Sequence, residues 1–306
     1  MFRMRSATYG EAFRQNRPIQ KILLLAIILV LLSLIPMVYF RHRSHDGNER
    51  RELRNSFESG AFESSYRQSE EMLHDNPLDY TILSIHGFSA YELAISQINN
   101  FDTIAFVDES IWSLRRALLL RENSPELHYV LGKAYFYKGP AFADLAIKYL
   151  EKAQSSFRAP DIPEYLGLSY AAIRDYRSSV AAFAFALTAD PSDLLLLSIA
   201  RSYFALEEYE QARAYLLRCL EASKDSRTAS AARLLLGTVL VQIGDMPGAE
   251  EEFLKVIEEI GENAEAYYQL GEIYLADGDT TRARAEWRRA LRIDPAHGPA
   301  RSRLNL

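Results

Sequence analysis

The residue types that carry catalysis or bind metals occur in this sequence, but they are not grouped as such chemistry requires. The six histidines are His42, His45, His74, His86, His128 and His297. A zinc site needs three or four ligands that converge on one ion, and only His42 and His45 are close in sequence. These two lie in a basic run, where contact with solvent or lipid headgroups is the favoured interpretation. We therefore expect no metal and no other cofactor.

Two further features also fail as signs of an enzyme. Gly132-Lys133 resembles the end of a phosphate-binding loop, but no glycine precedes it at the required spacing, and Ala134 replaces the serine or threonine of that motif. The single cysteine, Cys219, cannot form an intrachain disulfide. It occupies a small-residue position near the end of a helical pattern, which predicts a buried structural thiol. The sequence therefore predicts neither catalysis nor a small-molecule substrate.

The charge of the chain argues against a nucleic-acid partner. The 306 residues are 48% hydrophobic and carry a net charge of −6. The first 40 residues contain five basic side chains and one acid, so the remainder carries −10. An acidic body of this kind repels phosphate backbones. The hydrophobic content is typical of a folded protein rather than a disordered one.

An apolar segment near the amino terminus predicts a single transmembrane helix. Residues 22–40, ILLLAIILVLLSLIPMVYF, contain no charge and are bracketed by Lys21 and Arg41. At about 1.5 Å per residue they span roughly 28 Å, close to the hydrocarbon thickness of a bilayer. A cleaved signal peptide is the weaker alternative, because the basic tail at 1–21 is long and no small-x-small cleavage site follows. Residues 41–57 then form a juxtamembrane segment.

The orientation of this helix is less clearly specified. Five basic residues precede the segment and five follow it by residue 60, so the count of positive charges does not decide. Short basic tails usually stay in the cytoplasm, and long carboxy-terminal domains can be translocated whatever their charge. We expect a plasma-membrane protein with its amino terminus in the cytoplasm and its body outside, and the opposite orientation stays open.

The rest of the sequence repeats itself with a period of about 34 residues. The last two copies align at this offset throughout: Gly237 with Gly271, Gly244-Asp245 with Gly278-Asp279, Ala249 with Ala283, and Phe253 with Trp287. Earlier copies place glycine, alanine and aromatic residues at equivalent points. The pattern resembles the tetratricopeptide repeat, W-x2-L-G-x2-Y followed by A-x3-F and P.

This resemblance implies an all-α protein, a right-handed α-solenoid of helix-turn-helix repeats. The transmembrane helix predicted from residues 22–40 precedes it. The array covers residues 46–297, and a cap follows at 298–306. A degenerate first repeat and six others lie at 46–79, 80–124, 125–159, 160–192, 193–229, 230–263 and 264–297. The second repeat has about eleven extra residues within 91–110, for which longer helices are favoured over an inserted loop.

The repeat residues also have a physical rationale. A glycine at position 8 and an alanine near position 20 let two helices approach closely, and the large residue at position 24 fills the space beside them. Gly-Asp forms the turn between the helices. The repeat at 160–192 departs from this pattern, with Pro163 at position 4 and Ser179 at position 20.

The resemblance also implies a partner-binding groove lined by positions 2, 5, 9, 12 and 13 of each repeat. The residues selected are Phe88, Tyr91, Tyr129, Lys133, Phe136, Tyr137, Leu168, Ala172, Leu197, Arg201, Phe204, Leu234, Val241, Tyr268, Glu272 and Leu275. This set is apolar and aromatic, as interaction surfaces often are. It favours an apolar helix or extended peptide as the partner. Alternatively, the array's own helices cover part of the set.

A second candidate surface is basic. The last repeat carries Arg282, Arg284, Arg288, Arg289 and Arg292. A solvated helix face is the favoured interpretation, and docking to an acidic partner or anionic lipid is the alternative.

The leading functional hypothesis is a membrane-anchored scaffold that mediates protein–protein interactions. Roles in assembling a bacterial envelope complex, such as a secretion apparatus, an outer-membrane assembly complex or a flagellar motor, follow from the resemblance. The alternative is a membrane-tethered periplasmic chaperone that holds exported clients.

Overall fold

The computed structural model describes residues 47–96, 103–187 and 191–305. The predicted tail at 1–21 and membrane segment at 22–40 lie outside these residues. Of the helices that the model does describe, none combines the length and apolar character needed to cross a membrane.

The described residues form fifteen α-helices and no β-strand. The helices are α1 (residues 47–58), α2 (Phe62–Asp75), α3 (Tyr80–Ser96), α4 (Thr103–Leu120), α5 (Pro125–Lys138), α6 (Ala143–Gln154), α7 (Ile162–Ala172), α8 (Tyr176–Ala186), α9 (Asp193–Ala205), α10 (Tyr209–Ala222), α11 (Ser226–Gln242), α12 (Met246–Ile260), α13 (Ala264–Ala276), α14 (Thr280–Ile293) and α15 (Gly298–Leu304). A short 3₁₀ turn, Pro140–Phe142, links α5 to α6.

The helices pack in sequential order, which makes the molecule a solenoid. Within a pair, α3 packs on α4, α5 on α6, and so on to α13 on α14. Each second helix then packs on the first helix of the next pair, as α4 does on α5 and α10 on α11. Stacking of this kind buries apolar faces that no single hairpin could bury. The predicted all-α solenoid is confirmed.

The helices of the second repeat are long. α3 and α4 contain 17 and 18 residues, whereas α7 and α8 contain 11 each. The extra residues of this repeat therefore lengthen both helices of the hairpin, and residues 97–102 between them lie outside the described part of the chain.

Close helix crossings within the repeats depend on glycine. A Cβ atom added at Gly237 would lie 2.6 Å from Cε1 of Phe253, well inside van der Waals contact. The predicted pairing of position 8 with position 24 is therefore confirmed in this repeat. The same pairing joins Gly87 to Leu114, Gly132 to Leu150, Gly167 to Phe183, and Gly271 to Trp287.

The Gly-Asp turns work as a unit. Gly244 and Gly278 adopt φ values of +84° and +82°, which a residue without Cβ tolerates at no steric cost. The aspartate that follows each glycine caps the next helix. The Asp245 carboxylate accepts a hydrogen bond from the Gly248 N–H at 3.0 Å, and Asp279 accepts one from the Arg282 N–H at 2.8 Å.

Two serine pairs connect neighbouring repeats. Ser179, the departure at position 20, donates to the Gly167 carbonyl at 2.8 Å, and its Oγ lies 3.0 Å from Oγ of Ser202 on α9. Ser65 on α2 pairs in the same way with Ser89 on α3 at 2.7 Å. All four serines are buried. A hydroxyl at this position thus finds a partner in the next repeat, which satisfies its hydrogen bonding.

The first helices of the repeats line the concave side of the array. Direct contacts join α3 to α5, α5 to α7, α7 to α9 and α9 to α11, whereas second helices of neighbouring repeats share fewer contacts. The first helices are therefore closer together than the second helices, and the array curves around them.

Candidate partner-binding face

Lys133 lies at the centre of a polar and aromatic cluster on the concave side. Its Nζ donates hydrogen bonds to the Asp161 carboxylate at 2.8 Å and to the Tyr129 hydroxyl at 3.0 Å. The same Nζ is 4.7 Å from the ring centre of Tyr165, 4.9 Å from that of Tyr129 and 5.7 Å from that of Tyr91. Each ring is within the range of a cation–π interaction.

Asp161 completes this arrangement from the neighbouring repeat. It occupies the residue before α7, where an aspartate often caps the helix, but its side chain accepts no capping hydrogen bond. The Tyr129 hydroxyl instead lies 2.7 and 2.8 Å from its two carboxylate oxygens. Asp161 therefore ties the start of α7 to α5.

The aromatic side chains continue from one first helix to the next. Tyr137 on α5 shares a hydrogen bond of 2.9 Å with Tyr165 on α7, and its ring is 6.1 Å from that of Tyr91 on α3. Phe136 packs edge-on against Tyr165 at 5.1 Å. We call Lys133, Asp161, Tyr91, Tyr129, Phe136, Tyr137 and Tyr165 the Lys133 cluster.

The environment of the cluster shifts its acid–base properties. Burial opposes the charge on Lys133, but hydrogen bonds to Asp161 and Tyr129 outweigh it, so the pKa of Lys133 is raised. Burial raises the pKa of Tyr91 and Tyr165 far above the usual range for tyrosine. The lysine is therefore charged and the tyrosines are neutral at physiological pH.

The structure thus brings together five of the residues selected from the sequence, namely Tyr91, Tyr129, Lys133, Phe136 and Tyr137. Tyr91 is only 3% exposed, so it supports this surface from below instead of contacting a partner directly. The other four are partly exposed.

Terminal helices cover the selected residues at both ends of the array. At the amino-terminal end, Phe57 of α1 stacks on Phe88 with ring centres 6.0 Å apart. At the other end, His297 lies against Tyr268 at 5.3 Å, and Arg303 of α15 forms an ion pair with Glu272. These contacts occupy Phe88, Tyr268 and Glu272.

The remaining selected residues lie on α7, α9, α11 and α13. Leu197 is 4% exposed and belongs to the core. Arg201 and Ala172 are exposed. Half-buried positions are taken by Leu168, Phe204, Leu234, Val241 and Leu275.

The acidic members of this face are not among the groove residues predicted from the sequence. The groove pattern includes positions 2, 5 and 13, which are occupied by Asp161, Glu164 and Glu92 in their repeats. The predicted groove residues are mainly apolar and aromatic, and these three acids are absent from them. Tyr165 falls one place outside the pattern. Its role depends on α7 lying beside α5, and only the folded array shows this.

Other reactive side chains have structural partners. Cys219 is buried, as predicted; burial, reinforced by Asp193, raises the pKa of its thiol to about 11. His86 is buried and contacts Ser69 at 2.9 Å and Glu109 at 3.2 Å. Across the described ranges, no three His, Cys, Asp or Glu side chains are grouped to hold a metal ion.

The basic helix face is only partly neutralised. Arg282 pairs with Asp279, and Arg289 pairs with Glu286. Arg284, Arg288 and Arg292 are exposed. They border a shallow depression that Leu304 of α15 also lines.

Family models for the tetratricopeptide repeat match residues 165–227, 197–263 and 264–297. A curated relative, the anaphase-promoting complex subunit CDC16 of Saccharomyces cerevisiae, is 27% identical over 180 residues. That match covers 57% of this chain and 21% of the relative, so the chain spans about a fifth of the relative's length.

Solved structures show the same fold over more of the chain. The carboxy-terminal part of a repeat-containing protein from Cytophaga hutchinsonii matches with a TM-score of 0.61 at 16% identity, covering 84% of this chain and 100% of that one. PilF from Pseudomonas aeruginosa matches with a TM-score of 0.54 at 14% identity, and the match covers 72% of this chain and 96% of PilF. YrrB, described as having an unusual peptide-binding site, matches with a TM-score of 0.51 at 21% identity. That match covers 63% of this chain and 98% of YrrB. Residues 165–297 of the solenoid thus match the tetratricopeptide repeat, and the solved structures share the helical fold over more of the chain.

Proposed function

We propose that this chain is a membrane-anchored scaffold and that the concave face of its repeats holds a segment of a partner protein. The observation that carries the proposal is the Lys133 cluster, where aromatic and polar side chains from three consecutive first helices converge on one partly exposed surface. Aromatic residues of this kind are common anchors in protein interfaces. A peptide-binding site is also attributed to YrrB, which has the same fold.

The membrane part of the proposal comes from residues 22–40. Their length and lack of charge suit a bilayer-spanning helix, and the basic tail before them suits the cytoplasm. The array would then lie outside the cytoplasm, where it would help to assemble a bacterial envelope complex.

Reporter fusions after Leu306 test this orientation. A reporter that is active only outside the cytoplasm should be active, and one that fluoresces only inside should stay dark. The reverse pattern would place the array in the cytoplasm and exclude an envelope role on the outer side.

Photo-crosslinking in intact cells tests whether the concave face holds the partner. A photoreactive amino acid replaces Ala172 or Arg201, which are exposed on the first helices α7 and α9. Matched controls replace Phe185 or Leu254, which are exposed on the second helices α8 and α12. We expect discrete crosslinked products from the two concave positions and none from the controls.

Two other outcomes would change the proposal. Products from the control positions alone would move the partner to the convex face and contradict the assignment. A broad smear of many products from the concave positions would instead indicate a chaperone that holds varied clients.

A further inference from the structure

The concave face near Lys133 has more carboxylates than its own cation can balance. Lys133 forms its ion pair with Asp161. Glu92 on α3 and Glu164 on α7 are both close enough for Lys133 to act on their ionisation. Neither glutamate makes a hydrogen bond or ion pair with any residue in the described ranges.

These two glutamates are held in an unfavourable environment. Both are half-buried, and burial is the main reason that the pKa of each is raised. Asp161 raises the pKa of Glu164 further, while Lys133 lowers both. A carboxylate that has lost water without gaining a partner destabilises the fold. Ionisation of these two glutamates therefore does not stabilise the free protein.

A buried hydroxyl in the same place also lacks a partner. The Tyr91 side chain is 3% exposed, and its hydroxyl makes no hydrogen bond within the described structure. The groups that influence this hydroxyl electrostatically are Tyr165, Tyr137, Glu92 and Tyr129. It thus lies beneath the surface that Glu92 and these tyrosines form, and an unpaired buried hydroxyl there destabilises the free protein.

The aromatic rings indicate the kind of ligand that would offset the cost of the two unpaired carboxylates. The tyrosine faces already accept one cation, the Nζ of Lys133. A guanidinium group could stack on tyrosine rings and donate to carboxylates at once, since it is planar and carries five N–H donors. An acidic segment would be repelled by the two glutamates, and a purely apolar helix would bury them further.

We propose that the concave face formed by α3, α5 and α7 recognises an arginine-bearing extended segment of a partner protein, with Glu92 and Glu164 as the recognition carboxylates. This inference rests on the proposed function and refines it. The sequence favours an apolar helix or extended peptide as the partner, and the inference specifies an extended segment that is basic. The supporting observation is charge complementarity: two unpaired, half-buried carboxylates flank a tyrosine cluster that already binds a cation.

The test uses the full-length chain in detergent micelles and a fluorescent peptide that alternates arginine with serine. The control peptide carries citrulline, the neutral isostere, in place of arginine. We expect the arginine peptide to bind and the citrulline peptide to bind at least about tenfold more weakly. The double variant Glu92→Gln/Glu164→Gln should weaken binding of the arginine peptide by a similar factor.

A matched control separates this effect from net charge. Glu221→Gln/Glu262→Gln removes two exposed carboxylates in other repeats and should leave peptide binding unchanged. Equal binding of both peptides, unchanged binding by the Glu92→Gln/Glu164→Gln variant, or no binding of the arginine peptide would each overturn the inference. The scaffold proposal fails on different evidence, namely crosslinking from the convex positions alone.

The same double variant should also change stability with a defined pH dependence. A carboxylate whose pKa is higher in the folded state destabilises that state once it ionises, so the cost is present at neutral pH and absent below the unfolded pKa. The charged groups that act on Glu92 and Glu164 are Lys133 from α5 and Asp161 before α7. We therefore expect Glu92→Gln/Glu164→Gln to raise the melting temperature at pH 7 but not at pH 4.

This readout distinguishes recognition from a structural role. Replacing a residue that supports the fold lowers the stability of the protein, whereas replacing a residue that serves ligand binding often raises it. A lower melting temperature at pH 7 would show that the two carboxylates support the fold, and would contradict the inference.

Discussion

Gly237→Val should lower the free energy of unfolding by about 3 kcal/mol, the upper part of the range for overpacked cores. The added Cβ would lie 2.6 Å from Cε1 and 2.7 Å from Cζ of Phe253. Phe253 is completely buried, so its ring cannot turn towards solvent. The helices α11 and α12 must therefore separate, and the contacts that hold this repeat together weaken.

Chemical denaturation measures the loss, and two variants control for it. Gly298→Ala adds a methyl group where no atom lies within 4 Å, and it should leave stability nearly unchanged. Combining Gly237→Ala with Phe253→Leu replaces the ring by a smaller side chain beside the added methyl group. The double variant should therefore be more stable than the sum of the two single changes predicts. Additive losses would show that the glycine is needed for something other than this crossing.

Phe183→Ala should cost about 4 kcal/mol, because it leaves a cavity where a fully buried ring was. Phe183 has no exposed surface. It belongs to a small apolar cluster with Ala186, Leu195 and Ile199 that lies between α8 and α9. The repeat that carries it also has short helices of 11 residues each, so few other contacts can compensate.

The position of the cavity predicts how the array will unfold. In a solenoid each repeat contacts only its neighbours, so a weak central repeat uncouples the two sides. Hydrogen exchange should show faster exchange in α7 and α8 while α13 and α14 stay protected. Phe185→Ala, on the same helix but 79% exposed, should change stability by no more than about 0.5 kcal/mol. Uniform loss of protection along the whole array would contradict this expectation.

The fold was largely predictable because it depends on contacts within a repeat. Gly237 and Phe253 are separated by sixteen positions, and the recurrence of such pairs along the sequence is enough to indicate a series of helical hairpins. Turn chemistry was predictable for the same reason. Gly244 sets the backbone of the turn, and Asp245 accepts its capping hydrogen bond from Gly248, three residues further along the chain.

Contacts between repeats were harder to predict. Arg174 and Glu207 take φ values of +64° and +60° at turns where other repeats use glycine. A side chain there is strained, so neither residue signals the turn conformation in the way that a glycine does. The covering of Phe88 by α1 and of Tyr268 by the segment at His297 likewise depends on where terminal helices fold back.

The candidate site combines both cases. Tyr129, Lys133, Phe136 and Tyr137 lie on one helix, so their common face follows from helical periodicity. The acids that complete the surface come from α3 and α7. Their proximity to Lys133 depends on the spacing of neighbouring repeats, which no pattern within a single repeat specifies.

The two serine pairs have a consequence for how the array assembles. Similar hairpins can in principle stack in the wrong order or slide by one helical turn, about 5.4 Å, and leucine contacts would tolerate such errors. Paired hydroxyls tolerate such errors less well, because a slip breaks a buried hydrogen bond that contributes about 1 kcal/mol. The two serine pairs, Ser65 with Ser89 and Ser179 with Ser202, therefore help to select which helices pack together. They favour a single register for α2 on α3 and for the repeat containing α8 on α9.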